Sequence, residues 1–276
     1  MPNHITNIVS FNGDRIHVQS ILEKIKNDEY GIGTVDFAKI ISIPNGDRAS
    51  NDSRVANWGT KWNAYGYEKD KSYSNSKELR FLTAWAAPHP ILEKLSEMFP
   101  KVKITHEWAD EDIGMNCGRH EYCGGERTEE YYPEKNKERI EFAARIMQAD
   151  PSDWMLFLNA SETDYVSYPD DEFDMVEIME QKALFTNERM TDTDVPKGLY
   201  CYHLRHGDNG DFCSIEKNVA VNHGGTIIVA EPLDLGNQKY LMLDDDSSPN
   251  FIGESCTMEE FVGYAFEQSE EMSLTQ

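Results

Sequence analysis

The chain is poor in the residues that would staple a small protein together. Its 276 residues include five cysteines: Cys117, Cys123, Cys201, Cys213 and Cys256. So sparse and odd a set is no disulfide framework, and it points to free thiols in a reducing cytoplasm. The opening MPNHITNIVSF lacks the basic stretch and apolar run of a signal peptide. No apolar run approaches the roughly 20 residues that a membrane span requires. The phosphate-cradling GxxxxGK[ST] and the dinucleotide GxGxxG are both missing, and no internal repeat is visible. Positive charge is scarce in the second half. Residues 151–276 carry 6 Lys+Arg against 26 Asp+Glu, whereas residues 1–150 carry 20 against 24, within a formal charge of -24. Charge asymmetry of this kind suggests two units. The acidic half repels nucleic acid and anionic membrane and favours basic partners. Solubility alone would also account for it.

The strongest structural signal lies in residues 79–108. Leu79, Phe81, Thr83 and Trp85 alternate with Arg80, Leu82 and Ala84, which predicts a strand. Pro88 and Pro90 stop it, and Pro90 suits the first turn of a helix. Ile91, Leu95, Met98 and Phe99 share one helical face, and Pro100 ends it. Val102, Ile104, His106 and Trp108 then alternate as a second strand. Upstream, Ile5, Asn7, Val9 and Phe11 predict a first strand. Asp14 is a plausible N-cap for a helix carrying Val18, Ile21, Leu22 and Ile25. Residues 61–67 alternate Trp62 and Ala64 with Asn63 and Tyr65 and read as a further strand. Residues 45–53 read as a surface loop, residues 35–44 as a helical turn or edge strand, and residues 68–77 as a polar connection.

This order of strand, helix, strand, strand, helix, strand is the ferredoxin-like arrangement, with two helices on one face of an antiparallel sheet. A further hairpin is expected beyond Trp108, and a third helix over residues 139–148. Trp58, Trp62, Trp85 and Trp108 are expected in or near the core, the alternative being an aromatic binding surface. Residues 198–268 read as a β-rich unit. It has strands near 199–204, 214–221 and 240–243, a glycine-tipped hairpin over 219–229, and a helix capped by Thr257 with Glu260. The expected architecture is α+β: a ferredoxin-like domain over 1–165 with extra elements, an acidic linker over 166–197 with possible helix over 173–184, and a smaller acidic β-rich domain over 198–268.

Several strings carry a resemblance. MPNHITNIVSFNG, NWGTKWNA at 57–64, FLTAWAAPHPILEKLSEMFP at 81–100 and Gly124-Gly125-Glu126 together resemble the YubB-like ferredoxin-like domain of plasmids and phages. Residues 183–262, with GLYCYHLRHGDNGDF, VNHGGTII and AEPLDLG, resemble an accessory domain associated with large polyvalent proteins of mobile elements. No catalytic residue set comes with either resemblance. What they imply is a setting: a protein carried by a phage, plasmid or prophage, where anti-defence functions, anti-CRISPR inhibition among them, are common.

Candidate chemistry is local. Cys117, His120 and Cys123 could hold zinc, with His106 or a distant residue as fourth ligand, although no standard zinc-finger partner pair follows. A hairpin with incidental thiols is the plainer reading. Cys201, His203, His206 and Cys213 form a second possible set. Asn222-His223-Gly224-Gly225 reads as a turn. Asp110-Glu111-Asp112 and Asp244-Asp245-Asp246 are carboxylate runs without EF-hand spacing. Lys61, Lys69, Lys71, Lys77 and Arg80 make a small basic patch beside Trp58 and Trp62.

The leading expectation is a non-enzymatic accessory protein that binds a nucleic-acid-handling protein. It would present Asp170, Asp171, Glu172, Asp174, Asp244, Asp245 and Asp246 as a phosphate-like surface. The alternatives are a nucleic-acid-binding module using the ferredoxin-like sheet and a metal-dependent enzyme at Cys117, His120 and Cys123.

Overall fold

The computed structural model describes residues 3–44, 49–68, 78–167, 173–178, 181–206, 212–217, 225–234 and 240–242. The chain divides into two compact units, Met1–Trp154 and Met155–Gln276. Among the described residues no helix is long and apolar enough to cross a membrane.

In the first unit, β1 (His4–Asn12) is followed by α1 (Arg15–Ile25). Ile21 and Ile25 of α1 are buried, as their spacing predicts. Asp14 occupies the N-cap position, but its side chain makes no capping bond. A 3-10 turn (Phe37–Lys39) and α2 (Asn51–Trp58) come next. α2 starts inside the stretch read as loop. Its cap, Ser50, accepts from the Ser53 amide, and Gly59 ends it at φ 78. Then come β2 (Glu78–Ala84), α3 (His89–Met98), β3 (Lys103–Asp110), β4 (Cys117–Cys123), β5 (Glu126–Tyr131) and α4 (Asn136–Met147).

The five strands form one sheet in the order β2-β1-β3-β4-β5 with every neighbour antiparallel. β1 therefore lies between β2 and β3, which α3 connects; this is the split βαβ of a ferredoxin-like fold. The strand expected over residues 61–67 does not form. Only Tyr65 pairs, as an isolated bridge to Leu82 on the outer edge of β2. Polar anchors override the short alternation: Asn63 Oδ1 accepts from the Phe37 amide at 2.9 Å, and Asn63 Nδ2 donates to Asp36 at 2.7 Å. Gly66, at φ 89, lies so close to Leu82 that a Cβ there would meet it at 2.9 Å.

Alternation along the strands sorts residues to two faces. Val9, Leu79, Phe81, Ile104 and Tyr122 pack with Ile21 and Ile25 of α1 and Ile91, Leu92 and Leu95 of α3. Ile8, Ala109 and Cys117 point the other way and pack with Ala143 and Ile146 of α4. α1 and α3 share one face as expected, and α4 covers the opposite face. Burying such aliphatic side chains contributes roughly 1.5–3 kcal/mol each.

The second unit contains a two-stranded pair, β6 (Leu156–Leu158) and β7 (Tyr165–Ser167). Six further strands among the described residues are β8 (Asp174–Ile178), β9 (Gln181–Thr186), β10 (Tyr200–His206), β11 (Phe212–Lys217), β12 (Thr226–Val229) and β13 (Tyr240–Met242). They form an antiparallel sheet in the order β13-β11-β10-β12-β9-β8.

Three expectations are corrected here. The unit begins at Met155, whereas the first domain was expected to run to residue 165 and the β-rich domain to start at residue 198. The stretch read as an acidic linker with possible helix carries β8 and β9, because Leu184 and its neighbours belong to the core with Val195, Leu199, Cys201 and Ile228. β12 pairs with β10 and β9, so it does not form a hairpin with β11, which lies on the other side of β10. The helix expected at Thr257 and most of the residues expected at the glycine tip lie outside the described residues.

Candidate functional site

The trio expected to hold zinc does not converge. Strand alternation sends Cys117 to the α4 face, where its thiol reaches the Arg139 carbonyl at 3.7 Å. His120 points to the α3 face. Cys123 lies 3.6 Å from the Pro100 carbonyl. Among the described residues, no three His, Cys, Asp or Glu side chains are placed to hold a metal ion. His106, the expected fourth ligand, is bonded to Asn7 instead. In the second unit, Cys201 and His203 are both buried, and burial pushes the Cys201 thiol up to about 12, with Asp192 and Asp194 adding to it. Register sets His206 opposite Cys213.

Of the acidic candidates, Asp174 opens β8, while Asp170, Asp171, Glu172, Asp244, Asp245 and Asp246 lie outside the described residues. So do Lys69, Lys71, Lys77, Asn222, His223 and Gly224. Asp110 is buried and accepts from Asn3 Nδ2 and the Asp112 amide, and burial raises its carboxyl above the usual range. Nucleic-acid binding on an open sheet face meets an obstacle: α1 and α3 cover one face and α4 packs on the other.

The four tryptophans expected in or near the core split. Trp58 and Trp108 are 2% exposed and donate to Ile41 O and Asn116 Oδ1. Trp62 and Trp85 are 36% and 50% exposed, against the expectation of a core position. They flank Lys61, whose ammonium lies 4.1 Å from the Trp85 ring centroid and 5.3 Å from that of Trp62. Tyr65 meets Trp62 edge-on at 5.8 Å. No carboxylate among the described residues pairs with Lys61. Trp85 has φ 74, a left-handed backbone rare for a bulky residue. That backbone ends the strand one residue early and turns the ring outward, which alternation cannot reveal.

Beneath the surface, His89, His106, Trp108, His120 and Tyr122 form a continuous cluster on the α3 face. The His89 ring lies 4.6 Å from His120, 4.7 Å from Trp108 and 5.6 Å from His106. The Tyr122 hydroxyl is shared by His89 Nδ1 at 2.9 Å and His120 Nδ1 at 3.1 Å. A hydroxyl has one proton, so at most one imidazole accepts from it and at least one donates to it. His120 Nε2 meets the hydroxyl of half-exposed Tyr132 at 2.6 Å.

Burial holds all three imidazoles neutral. His89 and His120 titrate at about 4, with Arg127 opposing their protonation and Glu130 favouring it, and His106 falls well below the usual range. Burial likewise raises the Tyr122 hydroxyl. The hydrogen-bond partners of these imidazoles are tyrosine hydroxyls and an asparagine amide. Sequence reasoning missed His89, Asn7, Tyr122 and Tyr132. The available signal was parity, which places Asn7, His106, His120 and Tyr122 on one sheet face.

Residues 61–150 match the family described as a ferredoxin-like domain in Api92-like protein. Residues 169–263 match the large polyvalent protein associated domain 28. Two separate stretches of the chain are thus similar to two different domain families. Both are accessory domains associated with phages and mobile elements. Each match covers less than half of the chain. The Trp62–Lys61–Trp85 group belongs to the ferredoxin-like stretch, as does the histidine cluster apart from Asn7. No curated protein and no solved structure matches the chain.

Proposed function

We propose that this chain is a non-enzymatic accessory protein of a phage or other mobile element that acts by binding another protein. Its specific form is inhibition of a host defence system. The observation that carries the binding reading is the exposed pair Trp62 and Trp85 with Lys61 between them. Tryptophan dominates interface hot spots because it offers a large, rigid, amphipathic surface at small entropic cost. No carboxylate among the described residues holds Lys61, which would meet a carboxylate of the partner. A formal charge of -24 opposes long-range attraction to nucleic acid and favours a protein with a basic surface elsewhere. In that reading the carboxylates of residues 170–174 and 244–246 compete with nucleic acid for a basic groove.

The test is affinity capture by tagged full-length protein from nuclease-treated bacterial lysate. Capture is repeated with Trp85→Ala and with charge reversal at 244–246. A single nucleic-acid-handling protein, lost with Trp85→Ala and weakened by salt, supports the reading. Capture that ignores salt and the charge reversal removes the acidic-mimic form. Recovery of RNA or DNA without a protein transfers the platform to nucleobase stacking.

A further inference from the structure

The geometry of the platform is decided at Trp85. A left-handed backbone is disfavoured for any residue with a Cβ, and it persists only where surrounding groups over-determine it. Those groups can be traced inward. The Trp85 amide donates to Asn3 O at 2.9 Å. The next residue, Ala86, accepts at its carbonyl from Thr83 Oγ1 at 2.8 Å. Thr83 Oγ1 in turn accepts from Asn7 Nδ2 at 2.9 Å. Asn7 Nδ2 also donates to Ile5 O at 2.9 Å, which fixes the amide orientation and leaves Oδ1 facing His106. Two acceptors cannot share a hydrogen bond, so His106 Nε2, 3.0 Å from Oδ1, carries the imidazole proton. Its Nδ1 is then a bare lone pair, buried without a partner.

Donation therefore runs one way, from His106 through Asn7 and Thr83 to the Ala86 carbonyl. Asn7, Thr83 and His106 are all fully buried. Each is a polar group on the interior face of a strand, and each is occupied by its neighbour in the chain.

We propose that His106, Asn7 and Thr83 are positioning residues that hold Trp85 outward in its left-handed conformation. The platform is thereby set from inside the sheet. The importance of this for binding rests on the proposed function, but the positioning itself is readable without a partner.

The experiment uses the full-length protein with 15N-labelled tryptophan and follows the indole N–H signals. Trp85 is assigned by its disappearance in Trp85→Phe, and Trp108 in the same way. Thr83→Val removes the hydroxyl and keeps the side-chain shape; Thr83→Ser keeps the hydroxyl. The expected result is a shift of the Trp85 signal by several linewidths in Thr83→Val, recovery in Thr83→Ser, and an unmoved Trp108 signal in both. A Trp85 signal unchanged in Thr83→Val, or moved equally in Thr83→Ser, overturns the proposal. If Thr83→Val does not fold, Thr83→Ala removes the hydroxyl without a branched side chain and is read by the same criteria. A moved signal with unchanged partner capture would keep the positioning and defeat the binding reading of the platform.

Discussion

His106 on β3 stands directly opposite His120 on β4, and both are buried on the sheet face that α3 covers. His89, at the start of α3, completes the group. Three imidazoles so close remain compatible only while uncharged.

This sets a pH dependence. His89 and His120 titrate at about 4 in the folded protein, against an ordinary 6.5. Between those values the unfolded chain binds more protons than the folded one, so stability is full above about pH 6.5 and falls as pH drops towards 4. The expected loss from these two groups between pH 7 and pH 5 is on the order of 4 kcal/mol. Urea unfolding across that range measures it. Carboxylates titrate in the same experiment, so the discriminating comparison is the His89→Gln/His120→Gln double variant, which should show a shallower slope. Identical slopes would mean that the cluster does not govern acid stability.

Trp85 makes a second prediction about backbone rather than side chain. Trp85→Gly and Trp85→Ala both delete the ring, but only glycine adopts φ 74 without penalty. The glycine variant should be the more stable of the two by about 1 kcal/mol in chemical denaturation. Equal stabilities would show that the turn relaxes once the ring is gone.

The β2–α3–β3 segment was legible because its periods change cleanly at Pro88 and Pro100, and because both strands place their apolar residues on the covered face. α2 was not legible, since Asn51, Asp52 and Ser53 read as loop until Ser50 is seen to cap them. In the second unit, the acidic residues around β8 masked strands that tertiary pairing with β9 stabilises. The platform was half visible. Lys61 and Trp62 stood out as a basic aromatic patch, but alternation placed Trp85 in the core. Only its left-handed backbone brings it out beside Lys61. The zinc trio failed for a simple reason: residues three apart on a strand face opposite ways.

Gly118 tests how tightly the cluster is packed. A Cβ there would meet Trp108 Cζ2 at 2.8 Å and the Tyr131 carbonyl at 2.9 Å. Gly118→Ala should destabilise the protein by about 1–3 kcal/mol through overpacking. A thermal midpoint matching the native protein would show that the indole has room to move.

The cysteines should divide by reactivity. Cys117 and Cys201 are buried with thiols raised by burial, whereas Cys123 is half-buried. Brief treatment of the native protein with iodoacetamide, followed by peptide mass spectrometry, should label Cys123 well ahead of Cys201. Comparable labelling of both would place Cys201 in an open environment.

The two ends of the five-stranded sheet are closed to growth by different means. The backbone of β2 is met along its outer edge by the Tyr65 bridge. β5 is exposed along its whole length, carries Glu126, Arg127, Glu129 and Glu130, and breaks register with β4 between Glu121 and Tyr122. An incoming strand would find one border interrupted by the Tyr65 bridge and the other charged and kinked. Copies of the chain can therefore crowd together without zipping this sheet into fibrils, and the exposed faces of Trp62 and Trp85 stay uncovered.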